Sequence, residues 1–171
     1  MKKERLIKVF VSLLLILSNI SCDQITKDKV RESISKYEVI EVIGNSFMLT
    51  KVENNGAALN LGGNLTPFLK IIFLQVFPLT VLLLLFVYIV REKMISKLNL
   101  IGFSFIIGGG IGNIYDRIFF NSVTDFMYVE YGGIKTAIFN MADVSVVIGC
   151  LLVLLNILLV AIKRKPSLSK S

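Results

Sequence analysis

Four long apolar runs, separated by polar stretches of unequal length, organise this sequence. They are Leu6–Cys22, Phe68–Val90 ("FLKIIFLQVFPLTVLLLLFVYIV"), Leu98–Arg117 ("LNLIGFSFIIGGGIGNIYDR") and Ile138–Ile162 ("IFNMADVSVVIGCLLVLLNILLVAI"). A helix crosses the hydrocarbon core of a bilayer in roughly 20 residues. The second and fourth runs reach that length easily, the first is short, and the third turns polar at its end. The pattern predicts an all-α membrane protein: four transmembrane helices in one integral-membrane domain over residues 1–171. In the intervening stretches 23–67 and 118–137 the pattern changes. "YEVIEVIGNSFMLTKVEN" (Tyr37–Asn54) has two β-prone runs around Gly44-Asn45, and "DFMYVEYGGIKTAIF" (Asp125–Phe139) gives a similar signal around Gly132-Gly133. Each reads as a hairpin. Together they predict a small β-structure on the outer face of the bundle.

Composition sharpens this picture. Hydrophobic residues make up 54% of the chain and charged ones 18%, whereas a soluble domain has about 45–50% apolar residues and about a quarter charged. The net charge of +7 does not indicate nucleic acid, because the basic residues cluster beside the apolar runs. The clusters are Lys2, Lys3, Arg5 and Lys8; Arg91, Lys93 and Lys97; and Lys163, Arg164 and Lys165, with Lys170 beyond. Such placement marks the cytoplasmic ends of membrane helices. Four spans put both termini and the loop 91–97 in the cytoplasm and leave 23–67 and 118–137 outside. The expected location is a membrane, crossed four times, with lipids as immediate partners. The chain has two cysteines, Cys22 and Cys150, and no histidine. A disulfide framework, a zinc site and histidine-based nucleophilic catalysis are therefore excluded as readings. Carboxylate chemistry remains, with a Ser-Lys pair as the weaker option.

The candidate groups gather at the ends of the third and fourth runs. Asn113 and Arg117 are four apart and share a helix face, and Gly109 lies one turn before Asn113. Gly108 and Gly112 have the small-xxx-small spacing that lets another helix approach closely. Asn140 and Asp143 are three apart. In a helix starting near Ile138, Asp143 lies about 8 Å inside, and a carboxylate at that depth marks a functional site or a structural partner for Arg117. Asp125, in "SVTDF", supplies a second carboxylate near the same interface. Two such groups share a proton, and the pair can activate water while polarising a carbonyl. Asp23 and Lys27 are placed just beyond the first span, and Asn54 and Gly56 at the end of the first hairpin. Gln75 and Asn156 are expected to make interhelical hydrogen bonds. A small transporter using Asp116, Arg117 and Asp143, or an assembly factor without catalysis, are the competing readings.

Taken together, "DQITK" at 23–27, "NNGAAL" at 54–59, "GGGIGNIYDR" at 108–117, "VTD" at 123–125 and "FNMAD" at 139–143 resemble the lipoprotein signal peptidase family (signal peptidase II), in order and spacing over nearly the whole chain. Leu59 stands where the family typically has phenylalanine. The resemblance implies a membrane aspartic endopeptidase that removes the signal peptide of bacterial prolipoproteins before a diacylglyceryl-modified cysteine. It implies catalysis by Asp125 and Asp143 without metal or cofactor, near the outer face of the membrane. Asp23, Lys27, Asn54, Gly56, Gly109, Asn113, Asp116, Arg117 and Asn140 are the supporting residues, and a monomer is favoured.

The first run poses a separate question. Its basic start, short apolar core and Ser21-Cys22 end also fit a lipoprotein signal that is cut before the cysteine. Asn19 stands three before that cysteine, where such a signal usually has leucine, and three more apolar runs follow. The expectation is a retained first helix.

Overall fold

The computed structural model describes residues 2–164; Lys165, Lys170 and the polar tail 167–171 lie outside the described residues. Four helices are long and apolar enough to cross a membrane. They are α1 (Lys2–Ser33), α2 (Pro67–Arg91), α3 (Lys97–Phe119) and α4 (Met141–Arg164). Strands β1 (Val39–Ile43) and β2 (Phe47–Asn54) lie between α1 and α2, and β3 (Val123–Tyr131) and β4 (Ile134–Lys135) between α3 and α4. Leu14, Leu83 and Leu155, from three different helices, are exposed on the bundle's outside, as expected where lipid rather than water is the solvent. No charged residue occurs in 9–22, 71–90, 98–115 or 144–162. The chain is a multi-pass membrane protein.

Helix α3 is central, packing against α1, α2 and α4. Its glycines make that possible. A Cβ on Gly108 would stand 2.7 Å from Asn19 Cβ, and one on Gly112 2.6 Å from Asp23 Oδ2, so the small-xxx-small pair is the seat of α1. Gly102 and Gly109 face α4, where added Cβ atoms would lie 2.8 Å from the Gly149 carbonyl oxygen and collide with that of Ala142. Backbones this close exclude any side chain. Pro78 lacks an N–H and disrupts the ladder of α2 just after a wide turn at Ile71–Val76. Gln75, in that turn, donates to the Arg117 carbonyl at 3.3 Å, an interhelical bond as expected. Among the described residues Asn156 makes no such bond.

Two boundaries differ from the sequence reading. Helix α1 continues to Ser33, so residues 23–33 are helical and not part of an outer loop. Hydropathy marks where apolar surface ends, whereas the hydrogen-bonded ladder runs on through a stretch with no Gly or Pro. Asp23, Lys27 and Arg31 are consequently stacked one turn apart on one face. Helix α4 starts at Met141, not near Ile138, so Asp143 sits in its first turn instead of about 8 Å inside. Phe139 is held in an isolated bridge to Met127, with Phe139 N donating to Met127 O at 2.9 Å. Asn140 then caps the helix. Asp143 N–H donates to Asn140 Oδ1 at 3.0 Å, and Asn140 N–H donates to Asp143 Oδ2 at 3.1 Å. The two residues form a reciprocal capping box.

The strands form one antiparallel sheet in the order β1-β2-β3-β4. Its last hairpin turns through Gly132 (φ 57°) and Gly133 (φ 82°), left-handed positions that glycine occupies without strain. The β2–β3 register sets Val52 opposite Asp125 and Asn54 opposite Val123. Phe126 and Met127 of β3 pack with Val30 of α1 and with Ile34 just beyond its end, against Phe139, Met141 and Val144. The sheet is thereby anchored over the ends of α1 and α4, where the polar residues meet.

Candidate active site

The site is assembled from four elements by contacts already described. The end of β2 brings Asn54, β3 brings Asp125, the last turns of α3 bring Asn113 and Arg117, and the start of α4 brings Asn140 and Asp143. Asn140, fully buried, joins the two aspartates. Its Nδ2 donates to Asp125 Oδ1 at 2.6 Å, while its backbone N–H and side-chain oxygen hold Asp143. Each carboxylate also receives a second side-chain donor. Asn54 Nδ2 lies 3.0 Å from Asp125 Oδ2, and Asn113 Nδ2 lies 2.9 Å from Asp143 Oδ1. The structure therefore brings the two predicted aspartates into one hydrogen-bonded constellation, within reach of each other's charge.

Asp125 is only 5% exposed. Burial, reinforced by the charge of Asp143, pushes its carboxyl up to about 6, against the downward pull of the Asn54 and Asn140 hydrogen bonds and of Lys27. A carboxyl raised above its unfolded value of 3.8 stabilises the folded state fully below that value, and the contribution is lost as pH rises through about 6. The shift corresponds to roughly 2–3 kcal/mol. Between pH 4 and 7.5, the Tm of Asp125→Asn in detergent should therefore rise relative to that of the wild type. A constant difference across that range would contradict the raised value.

The other expected residues fall in two groups. Arg117 Nη2 donates to the Gly56 carbonyl at 2.8 Å, and Asn54 Oδ1 accepts from Gly56 N–H at 2.9 Å. A Cβ on Gly56 would stand 2.6 Å from backbone atoms of Asn60 and Leu61, so the loop after β2 closes tightly against the site. Arg117 makes no ion pair to Asp143 among the described residues, and its buried Nε has no hydrogen-bond partner. The structural reading of Asp143 as the partner of Arg117 is not what the geometry shows.

The second group lies behind the first. Asp23, Lys27 and Asp116 are fully buried. Lys27 Nζ is 2.7 Å from Asp23 Oδ2, 3.1 Å from Asp116 Oδ2 and 3.0 Å from Asn113 Oδ1. Asp23 Oδ1 accepts from Ala142 N–H at 2.8 Å, which ties α1 to the start of α4. Gly109 touches no polar group of the site and serves helix packing. The sequence reading missed Gln24, Arg31, Thr124 and Glu53. Gln24 Nε2 reaches Asp23, Asp116 and the Gly112 carbonyl. Arg31 Nη2 lies 2.9 Å from Asp116 Oδ1 as an ion pair without hydrogen-bond alignment, and its Nε donates to Thr124 Oγ1. Thr124 in turn donates to Glu53. A helix extended through residue 33 would have revealed Arg31 by its spacing from Asp23 and Lys27.

A groove of about 290 Å³ opens beside the pair, lined by Phe139, Asp143, Val144, Val147 and Ile148. Asp143 is its one acidic member, and Val147 and Ile148 face outward from the bundle. The arrangement can hold water at a carboxylate pair while an apolar chain lies alongside.

Known proteins give a consistent comparison. Residues 15–159 match the family described as signal peptidase (SPase) II. The lipoprotein signal peptidase of Clostridium acetobutylicum is 34% identical over 87% of this chain and 94% of its own length. That of Borrelia hermsii is 35% identical over 81% and 84%. Two solved structures described as bacterial membrane enzymes, both determined by the in meso method, superpose with TM-scores of 0.80 and 0.77 at 27% identity. They cover 94% and 86% of this chain and 94% and 92% of their own. With a match that spans most of its length and the same four-helix, sheet-capped architecture, this chain belongs to the signal peptidase II family, the lipoprotein signal peptidases.

Proposed function

We propose that Asp125 and Asp143 are the catalytic pair of a membrane aspartic endopeptidase that cleaves bacterial prolipoproteins before a diacylglyceryl-modified cysteine. The observation that carries this reading is the single buried asparagine, Asn140, that binds both carboxylates. Asp125, the more deeply buried member, holds the shared proton. Water lies between the two carboxyls. Asp143 takes its proton as the oxygen attacks the scissile carbonyl carbon, and Asp125 protonates the carbonyl oxygen. Collapse of the resulting gem-diol breaks the C–N bond. Asp143 passes its proton to the departing cysteine nitrogen, and Asp125 recovers one from a hydroxyl. The products are a signal peptide ending in a carboxyl group and a lipoprotein with a free amino terminus. Aspartic proteases share this division of labour.

The lateral groove beside Asp143 fits a substrate that arrives within the bilayer on its own acyl chains. The basic residues of the loop 91–97 and of the ends of α1 and α4 support a cytoplasmic-membrane orientation with both termini inside and the aspartates near the outer face. Retention of α1 is supported by Asp23 and Lys27, which continue the same helix beyond Cys22 and are buried against α3 and α4.

Purified protein in detergent should convert a diacylglyceryl-modified prolipoprotein to a product whose mass begins at the modified cysteine. An unmodified precursor should be cleaved at least about 100-fold more slowly, since binding energy from the lipid drives positioning of the scissile bond. A chelator should have no effect. Equal cleavage of the two precursors would refute the lipid-dependent part of the reading.

A further inference from the structure

We propose that Lys27 is a positioning residue of the aspartate pair: it fixes the direction of a hydrogen-bond chain from its ammonium through Asn113 to Asp143, and so reserves for Asp143 the task of accepting the proton of water. The proposal deepens the two-aspartate reading and rests on it.

An ammonium has three donors and no acceptor. Lys27 is fully buried, and Nζ meets three oxygens, Asp23 Oδ2, Asp116 Oδ2 and Asn113 Oδ1. No neighbour can reverse these bonds. A carboxamide has two unlike ends, so fixing Asn113 Oδ1 on Lys27 turns Nδ2 the other way, where it lies 2.9 Å from Asp143 Oδ1. Asn140 is oriented by the same logic from the opposite side. Its Oδ1 accepts from Asp143 N–H, a backbone donor that cannot rotate, which leaves Nδ2 for Asp125 Oδ1 and Asn113 Oδ1. Both amides are thus locked by groups of fixed polarity, an ammonium at one end and a backbone N–H at the other. On the protein side, both oxygens of Asp143 meet only donors.

Without Lys27, Asn113 Oδ1 retains a single partner, Asn140 Nδ2. The Asn113 amide can then turn over and present its oxygen to Asp143, an arrangement favourable only with a proton between them. The proton that belongs on Asp125 would be drawn to the wrong carboxyl. The charged groups around Asp143 are Asp125 on β3, Arg117 and Asp116 on α3, and Lys27 and Asp23 on α1. Of these, among the described residues, only Lys27 holds a side chain that donates to the Asp143 carboxylate.

The test uses Lys27→Met, which keeps the length of the side chain and removes its donors, in the detergent assay with diacylglyceryl-modified prolipoprotein. The expected result is a fall in kcat of about 100-fold with KM within twofold, and a displacement of the pH–rate midpoint by about one unit. The displacement separates positioning from a merely structural role, which would lower Tm and the active fraction but leave the midpoint in place. Adding Lys27→Met to Asn113→Ala should lower kcat no further, because the lysine acts on Asp143 through the asparagine; any remaining movement of the midpoint in the double variant reads the direct charge of Lys27 on Asp125. Should Lys27→Met fail to fold, the charge-balanced pair Asp23→Asn with Lys27→Met carries the same readouts. An unmoved midpoint in a folded variant, or losses that add to those of Asn113→Ala, would overturn the proposal. Asp125→Asn and Asp143→Asn are run in parallel. If they retain activity the two-aspartate reading itself falls; if they are inactive while Lys27→Met is normal, only the role of Lys27 does.

Discussion

Asp125→Asn and Asp143→Asn are each expected to lower the rate of prolipoprotein cleavage by at least about 10³-fold, while the protein still folds. General acid and general base contribute about 10²–10⁴-fold apiece, and a pair that shares one proton loses both functions when either carboxyl is removed. Folding should survive because the replacement is nearly isosteric. Asn at 125 still accepts one of the two amide donors, from Asn54 or Asn140, and Asn at 143 still accepts from Asn113 or the Asn140 backbone. At each position the second donor is left facing an NH2 group, at a cost of about 1–2 kcal/mol. The measurement is product formation per folded molecule, with monodispersity and Tm recorded for each variant. Activity within tenfold of wild type in either variant would remove the acid–base mechanism.

The largest loss of stability is expected from Asp116→Ala. Asp116 is fully buried, with Oδ2 on Lys27 and on the Thr124 N–H (3.2 Å) and Oδ1 near Arg31 and Gln24. Deleting it leaves two cations with too few partners. Lys27 keeps Asp23 and Asn113, and Arg31 keeps chiefly Asp28, which is largely exposed. Breaking a buried ion cluster by removing one partner costs about 3–5 kcal/mol, a large share of the roughly 5–15 kcal/mol that holds a domain folded. The same deletion frees the backbone of Thr124, next to Asp125, so activity should drop in whatever fraction folds. Asp28→Ala, at the solvent end of Arg31, is the control and should cost at most about 1 kcal/mol. Comparable Tm losses in the two variants would show that the buried cluster carries no special weight.

The two predictions rest on residues that were unequally visible in the sequence. Asp143 stands out because a carboxylate opens a long apolar run, but the run alone places it too deep in the helix. The run 138–162 shows no break at Ile138, and the true start is set by the pairing of Phe139 with β3 and by the Asn140–Asp143 cap. That cap has a legible signature, an Asn followed three residues later by an Asp, which a capping search would have found. Asp116 is named in the sequence through the family resemblance and the transporter reading, while its local pattern shows only a polar helix end. Its role depends on Lys27, Gln24 and Arg31, which lie some ninety positions earlier in a helix whose hydropathy stops at Cys22.

The sequence by itself determined the solvent, the number of crossings and the choice of chemistry. Apolar runs of bilayer length, basic clusters beside them and the absence of histidine are properties of composition and spacing along the chain, and burial cannot change them. Only the tertiary structure decided which polar groups share a site and in which direction their hydrogen bonds run. Asp125 and Asp143 meet because a strand register places Asn54 beside β3, a bridge at Phe139 delivers Asn140, and glycines on α3 admit α1 and α4. Those contacts join residues far apart in the chain, and the polarity of an amide follows from its neighbours in space, which no local pattern records.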